Sequence, residues 1–199
     1  YTHNFMDRSI SVHDLTKLNT QTLTNFDRIA VYESVANEAL SVTVLKGKQL
    51  FYDAQDARVA REQYISCSSC HNDGADDGRV WDMTGFGEGL RNTISLEGRG
   101  GMNHGLLHWT ANFDEIQDFE GQIRTLAGGI GLMSDSDFHA GTRDQTLGDK
   151  KAGLSTDLDA LAAYVSSLDS FRSSPFQQTE GTLTTAAEAG REVFAQQNC

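Results

Sequence analysis

Apolar and polar positions divide the chain into segments of different period. Near the start, "NFMDRSISVHDL" (Asn4 to Leu15) alternates, with Ile10 and Val12 on one side and Ser9, Ser11 and His13 on the other. A period of two predicts a strand or an extended arm, and residues 1–30 read as a unit distinct from the rest. From Val35 the period lengthens. "VANEALSVTVLKGKQLFYD" places Val35, Ala39, Val42 and Leu45 on one face and runs on to Leu50 and Phe51, predicting a helix despite its β-branched Val42, Thr43 and Val44. Gly47 lies inside that helix, where glycine costs about 1 kcal/mol relative to alanine, so something is expected to pack against its backbone. Residues 72–105 are rich in Gly and Asp and read as a loop long enough to wrap something. "FDEIQDFEGQIRTLAGG" (Phe113 to Gly129) predicts a helix with Ile116, Phe119, Ile123 and Leu126 as its stripe and the glycine pair as its stop. "STDLDALAAYVSSLDSF" (Ser155 to Phe171) predicts another, capped by Ser155 or Thr156 and burying Leu158, Leu161, Val165 and Leu168. After a linker with the only proline, "TTAAEAGREVFAQQNC" starts a last helix. Its Gly190-Arg191-Glu192-Val193-Phe194 repeats the pattern of Gly47-Lys48-Gln49-Leu50-Phe51, and each run precedes a cysteine. The organisation read from this is an arm at 1–30, a main domain at 31–172, and a linker with the cut start of a second unit at 173–199.

Composition narrows the class. With 199 residues, 38% of them hydrophobic, the chain is long enough for one domain with a real core. A net charge of −12 and a pI near 4.8 argue against nucleic acid and anionic membrane surfaces and favour a basic partner or simple solubility. No run approaches the ~20 apolar residues of a membrane helix. Beginning at Tyr1 with no signal peptide, the chain reads as processed or cut. Three cysteines exclude a pure disulfide scaffold.

The chemistry concentrates in "YISCSSCHNDG" (Tyr64 to Gly74), where Cys67, Cys70 and His71 form C-x-x-C-H, the attachment signature of haem c. Two thiols three apart lie on one side of a helical turn and reach both vinyl groups of one porphyrin edge, while the adjacent imidazole reaches the iron. A dithiol redox pair and half a zinc site compete. Zinc wants two more ligands of the same kind, and the only other cysteine is Cys199; a thioredoxin-like role wants a βαβ context that is not visible. The Asp73, Asp76, Asp77 and Asp82 cluster raises Ca²⁺, but Ala75 and Thr84 stand where an EF-hand needs oxygen ligands.

At these residues the sequence resembles the c-type cytochromes, and more closely the dihaem cytochrome c peroxidase group. "GKQLF", "SCSSCH", "LRNTISLEG" (Leu90 to Gly98) and "LDALAAYVSSL" (Leu158 to Leu168) carry the resemblance across residues 37–172. "RNTISL" is similar to that group's "RNTPSL", and "HWTANFDEIQDFEGQI" to its "FWDGRxxxLEEQ", with His108 for the aromatic and no Asp-Gly-Arg. A separate, dozen-residue resemblance links Asn4–Leu15 to the closing strands of a β-propeller blade, so the arm reads equally as the remnant of a β-rich neighbour. The main resemblance implies a mainly α fold: a cytochrome c-like helical domain with long glycine-rich haem-wrapping loops and a short N-terminal extended arm. It implies that Gly47 and Phe51 meet Leu161 and Tyr164 where the first and last helices cross. It also implies that Cys199 opens a second haem site, an isolated cysteine being the alternative.

The same resemblance assigns His71 as one axial ligand of a single covalent haem c and Met133, after the "GGIGL" turn, as the other. His108 is the alternative distal ligand, followed by Met102 and His104; Met83 and His139 complete the candidates. Arg91 and Arg99 are expected at the haem propionates, and Trp109 and Trp81 on the porphyrin. The function implied is electron transfer as a module of a larger extracytoplasmic redox protein, periplasmic or secreted, with a basic redox partner or a neighbouring domain docking on the acidic surface. The alternative is one domain of a peroxidase-like dihaem enzyme that reduces hydrogen peroxide, with Glu115, Glu120 or Gln122 as distal groups.

Overall fold

The computed structural model describes residues 1–16, 18, 27–98, 105–170, 172–178 and 181–199. The alternating N-terminal stretch is a strand, β2 (Ser9–Asp14), centred in an antiparallel sheet between β1 (Thr2–Asn4) and β3 (Asp27–Glu33), with Ile10 opposite Tyr32. Its polarity is inverted. Ser9 and Ser11 are buried and both accept hydrogen bonds from Asn4 Nδ2 (3.0 and 2.6 Å), while Ile10 and Tyr32 face outward. A buried hydroxyl is tolerated because it is hydrogen-bonded. The turn after β1 seats the sheet on the first helix: Phe5 packs edge-on to Tyr52 (5.1 Å), the Lys48 ammonium sits 4.4 Å from the Phe5 ring centre, and Gln49 Nε2 donates to the Met6 carbonyl.

That helix, α1, spans Val42–Tyr52 and starts seven residues later than the period suggests, because Ser41 Oγ caps it by accepting from Val44 N–H (3.3 Å). Upstream, Glu38 is held by Arg8 (2.8 Å) and by Leu40 N–H (3.0 Å) in an extended segment. Helix α4 (Thr156–Ser166), capped by Ser155, crosses α1 closely. A Cβ added to Gly47 would lie 1.8 Å from the Ala160 carbonyl oxygen and 2.8 Å from Tyr164 Cβ, so the glycine is what lets the helices touch. Phe51 and Tyr164 stack edge-to-face beside it (5.1 Å). Leu50, Val59, Ile123, Leu132, Met133, Leu158 and Leu161 complete the core.

The Phe113–Gly129 segment is less helical than its period predicts: a single 3₁₀ turn at Ile116–Asp118 leads into α2 (Phe119–Thr125). Here buried charge dictates the path. The fully buried Glu120 carboxylate accepts from Leu132 N–H (2.9 Å), Met133 N–H (3.1 Å) and Arg124 Nε (2.8 Å). Lys151 reaches Asp118 at 2.6 Å with both side chains buried. A short α3 (Asp135–Phe138) follows, and α5 (Thr185–Gln196), capped by Thr184, buries none of its residues.

The glycine-rich stretch expected to be loop contains a second antiparallel sheet. Strands β4 (Val80–Met83) and β5 (Gly89–Asn92) form a hairpin with Trp81 opposite Arg91. The expected mainly α, cytochrome c-like class is therefore wrong. With 31% helix, 17% strand and two antiparallel sheets, this is an α/β protein. Short 3₁₀ turns and a hairpin stand where long helices and bare loops were expected. Among the described residues, no helix is long and apolar enough to cross a membrane.

Candidate functional site

Cys67 opens a one-turn 3₁₀ helix, Cys67–Ser69, fixed by Ser66 N–H donating to Ser69 Oγ (3.0 Å). The main-chain N–H groups of Cys70 (3.3 Å) and His71 (3.0 Å) both bond the Cys67 carbonyl, so the three motif residues share one turn. Both thiols are free, and burial pushes Cys67 up to about 11 and raises Cys70 as well. A dithiol redox pair depends on a lowered thiol pKa, so this environment opposes that role.

Burial also lowers His71, favouring the neutral imidazole that a metal requires. Its Nδ1 is buried with no hydrogen-bond partner. The main-chain groups of Ala75 and Ile94 lie close enough to raise its pKa in part, but neither completes a bond to Nδ1. Metal-bound histidines commonly donate the N–H of their second nitrogen to a nearby main-chain or carboxylate oxygen, and the main chain of Ala75 and Ile94 lies beside this ring.

The motif opens on two adjoining cavities of about 240 and 210 Å³. Cys70, His71, Phe119, Gln122, Leu126 and Val165 line both. Cys67 and Phe51 close the smaller one; the larger is walled by the β4–β5 hairpin and by the loop that carries His108 and Trp109. Mostly apolar walls with a few convergent polar groups are what a prosthetic-group site needs. Arg91 lines the larger cavity, its Nε buried without a hydrogen bond and 3.5 Å from Glu88. Trp109 is 60% exposed at the rim and is tied to the hairpin by its indole N–H, which donates to the Asn92 carbonyl (2.8 Å). Trp81 and Met83 line the same cavity from β4.

Met133 does not line either cavity. Its side chain is buried in the core with Leu50, Leu132 and Leu158, its N–H bonds Glu120, and its carbonyl accepts from Arg124 (2.8 Å). His139 is exposed beside Asp144. Met102, His104 and Arg99 lie outside the described residues. His108 does line the larger cavity.

Of the acidic candidates, Glu115 is engaged by Lys151 and Ala152 N–H groups and Glu120 by the contacts given above; only Gln122 faces the cavities. Among the described residues no group of three or more His, Cys, Asp or Glu is arranged to hold a metal ion. The aspartates considered for Ca²⁺ serve the chain instead. Asp77 accepts from Thr93 (2.7 Å) and Trp81 (3.0 Å), Asp73 from Tyr52 (3.1 Å), and Asp76 and Asp82 close turns by accepting from Gly78 and Thr84 N–H. Cys199 is exposed, its N–H bonded to the Phe194 carbonyl.

Two residues of the site escaped the sequence reading: Glu88, which lines the larger cavity just before β5, and Asn112, which stands behind His108 and bonds both His108 and Glu88. Glu88 meets Thr110 and Asn112 more than twenty positions on, and only the brief alternation of "VWDM" and "GLRN" around Gly85, Gly87 and Gly89 hinted at the wall it belongs to. No protein-family model, curated protein or solved structure matches the chain.

Proposed function

We propose that the chain binds one haem c through Cys67, Cys70 and His71 and passes single electrons between partners. The observation that carries this reading is that both thiols and the His71 imidazole, its Nδ1 without a hydrogen bond, share one turn, with Cys70 and His71 lining both apolar cavities and Cys67 the smaller. Haem would supply the one-electron iron couple. The residues supply the rest. The thiols would anchor the group, His71 would ligate its iron, and Phe51, Phe119, Leu126 and Val165 would shield it from water and lower the local dielectric. Arg91, whose Nε makes no hydrogen bond but lies 3.5 Å from Glu88, lines the larger cavity and would offer a cation to an anionic group such as a propionate. The setting implied is extracytoplasmic, and the −12 charge favours a basic redox partner.

A peroxide-reducing role is less well supported. It needs an acid–base group over the iron, Glu115 and Glu120 are consumed by structural bonds, and Gln122 is an amide that cannot transfer a proton. Expression in cells with a c-type maturation system tests the reading. Pigment should resist acid–acetone extraction and give the pyridine haemochrome band of a thioether-linked haem, and Cys67→Ala with Cys70→Ala should abolish it. Extractable pigment would refute the attachment.

A further inference from the structure

Resting on that reading, we propose that His108 is the second axial ligand and that Asn112 and Glu88 are the residues that position it. Met133, the residue the resemblance favours, is committed to the core. Of the candidates among the described residues, Met83 and His108 line the cavity, and of these two His108 is held by contacts that fix its ring.

Residues 107–113 form a closed loop. Leu107 N–H donates to the Phe113 carbonyl (2.8 Å) and Ala111 N–H to that of His108 (3.2 Å). To make the turn, His108 takes a left-handed backbone, φ +69, which side chains other than glycine seldom adopt. Its ring is stacked on Phe113 (4.3 Å between centroids) and met edge-on by Phe119 (5.0 Å). Rotation about its side-chain bonds is blocked on two sides.

The hydrogen bonds then settle which nitrogen carries the proton. A carboxylate only accepts, so Asn112 must present its NH₂ to Glu88 Oε1 (3.1 Å). That turns Asn112 Oδ1 toward His108 Nδ1 at 2.9 Å, and an amide oxygen also only accepts, so Nδ1 holds the hydrogen. In the neutral ring Nε2 then keeps its lone pair, and it makes no hydrogen bond to a described residue. Glu88 is anchored in turn by Thr110 Oγ1 (2.7 Å). The relay therefore runs from the hairpin through Glu88 and Asn112 to a neutral imidazole in the cavity wall, with the donor–acceptor order that metal-bound histidines require.

The matured haem protein provides the test. The wild type should give a low-spin ferric spectrum of bis-imidazole type with no sulfur-to-iron band in the near infrared. His108→Ala should lose the low-spin signature, and added imidazole should restore it. Asn112→Leu should keep covalent haem and an unchanged circular dichroism spectrum while the reduction potential rises, because an imidazole that has lost its acceptor at Nδ1 is a poorer donor to iron. Glu88→Gln should move the potential the same way by less. The proposal is overturned by a sulfur-to-iron band that vanishes in Met83→Leu or Met133→Leu, by a high-spin wild type, or by a potential unmoved in Asn112→Leu. Protein carrying no covalent haem sinks the underlying reading instead, a result told apart before any ligand is assigned.

Discussion

Cys67 and Cys199 carry the same thiol in opposite surroundings. Burial raises Cys67 from its ordinary 9.0 to about 11, whereas Cys199 is exposed. In haem-free protein at pH 8, iodoacetamide should therefore modify Cys199 first, Cys70 next and Cys67 last, as read by peptide mass; Cys67 reacting first would contradict the burial. The sign of the pH effect follows. A group whose folded pKa is raised contributes stability that is fully present below its unfolded value and is lost as pH rises toward 11, so the haem-free fold should weaken between about pH 9 and 11. At this scale the sequence is legible where contacts are local: Cys67, Cys70 and His71, read from their spacing as one unit, share one turn. Met133 was misplaced because its environment is decided by Glu120, thirteen positions away, which pins its N–H into the core.

Elements were legible where one face is decided by one partner. Gly47 pointed to a close crossing, and the crossing with α4 is there. The matching glycine in α5, Gly190, has nothing within 4 Å of the position its Cβ would occupy. The two positions therefore predict opposite outcomes for one substitution. Gly47→Ala drives a methyl into the Ala160 carbonyl and should cost roughly 3 kcal/mol, the upper end of core overpacking. Gly190→Ala should be neutral or stabilising by up to about 1 kcal/mol through helix propensity. Urea denaturation of both variants checks this, and equal effects would show that the repeat is packed alike in both copies. The period failed elsewhere for identifiable reasons. A helix from Val35 loses to the Arg8–Glu38 pair and the Ser41 cap. The strands of the hairpin are four residues each, too short to stand out among glycines.

For the whole molecule, long-range polar contacts decide the shape, and these leave no periodic trace. Lys151 ties the segment before α4 to Asp118 at the head of α2, and Gln117 Nε2 donates to Asp159 of α4 (2.8 Å). Lys151→Met should destabilise by about 3–5 kcal/mol because it leaves a buried carboxylate without its cation, and adding Asp118→Asn, which removes the charge while keeping an oxygen for the Asp114 and Glu115 N–H groups, should recover much of the loss. Calorimetry of the single and double variants measures it, and additive losses would contradict the pairing. The misjudged fold class has the same origin: apolar stripes report helices, whereas the two sheets rest on short strands and cross-strand pairs. On the reading proposed above, electron transfer from a basic partner should slow as ionic strength rises, since the net charge of −12 acts through screened, long-range attraction.

The most direct test is the intact mass of protein matured with haem available. The account predicts a single species heavier than the bare chain by one haem, with Cys67 and Cys70 refusing alkylation after denaturation while Cys199 accepts it. A species of unmodified mass in which all three cysteines alkylate would contradict it.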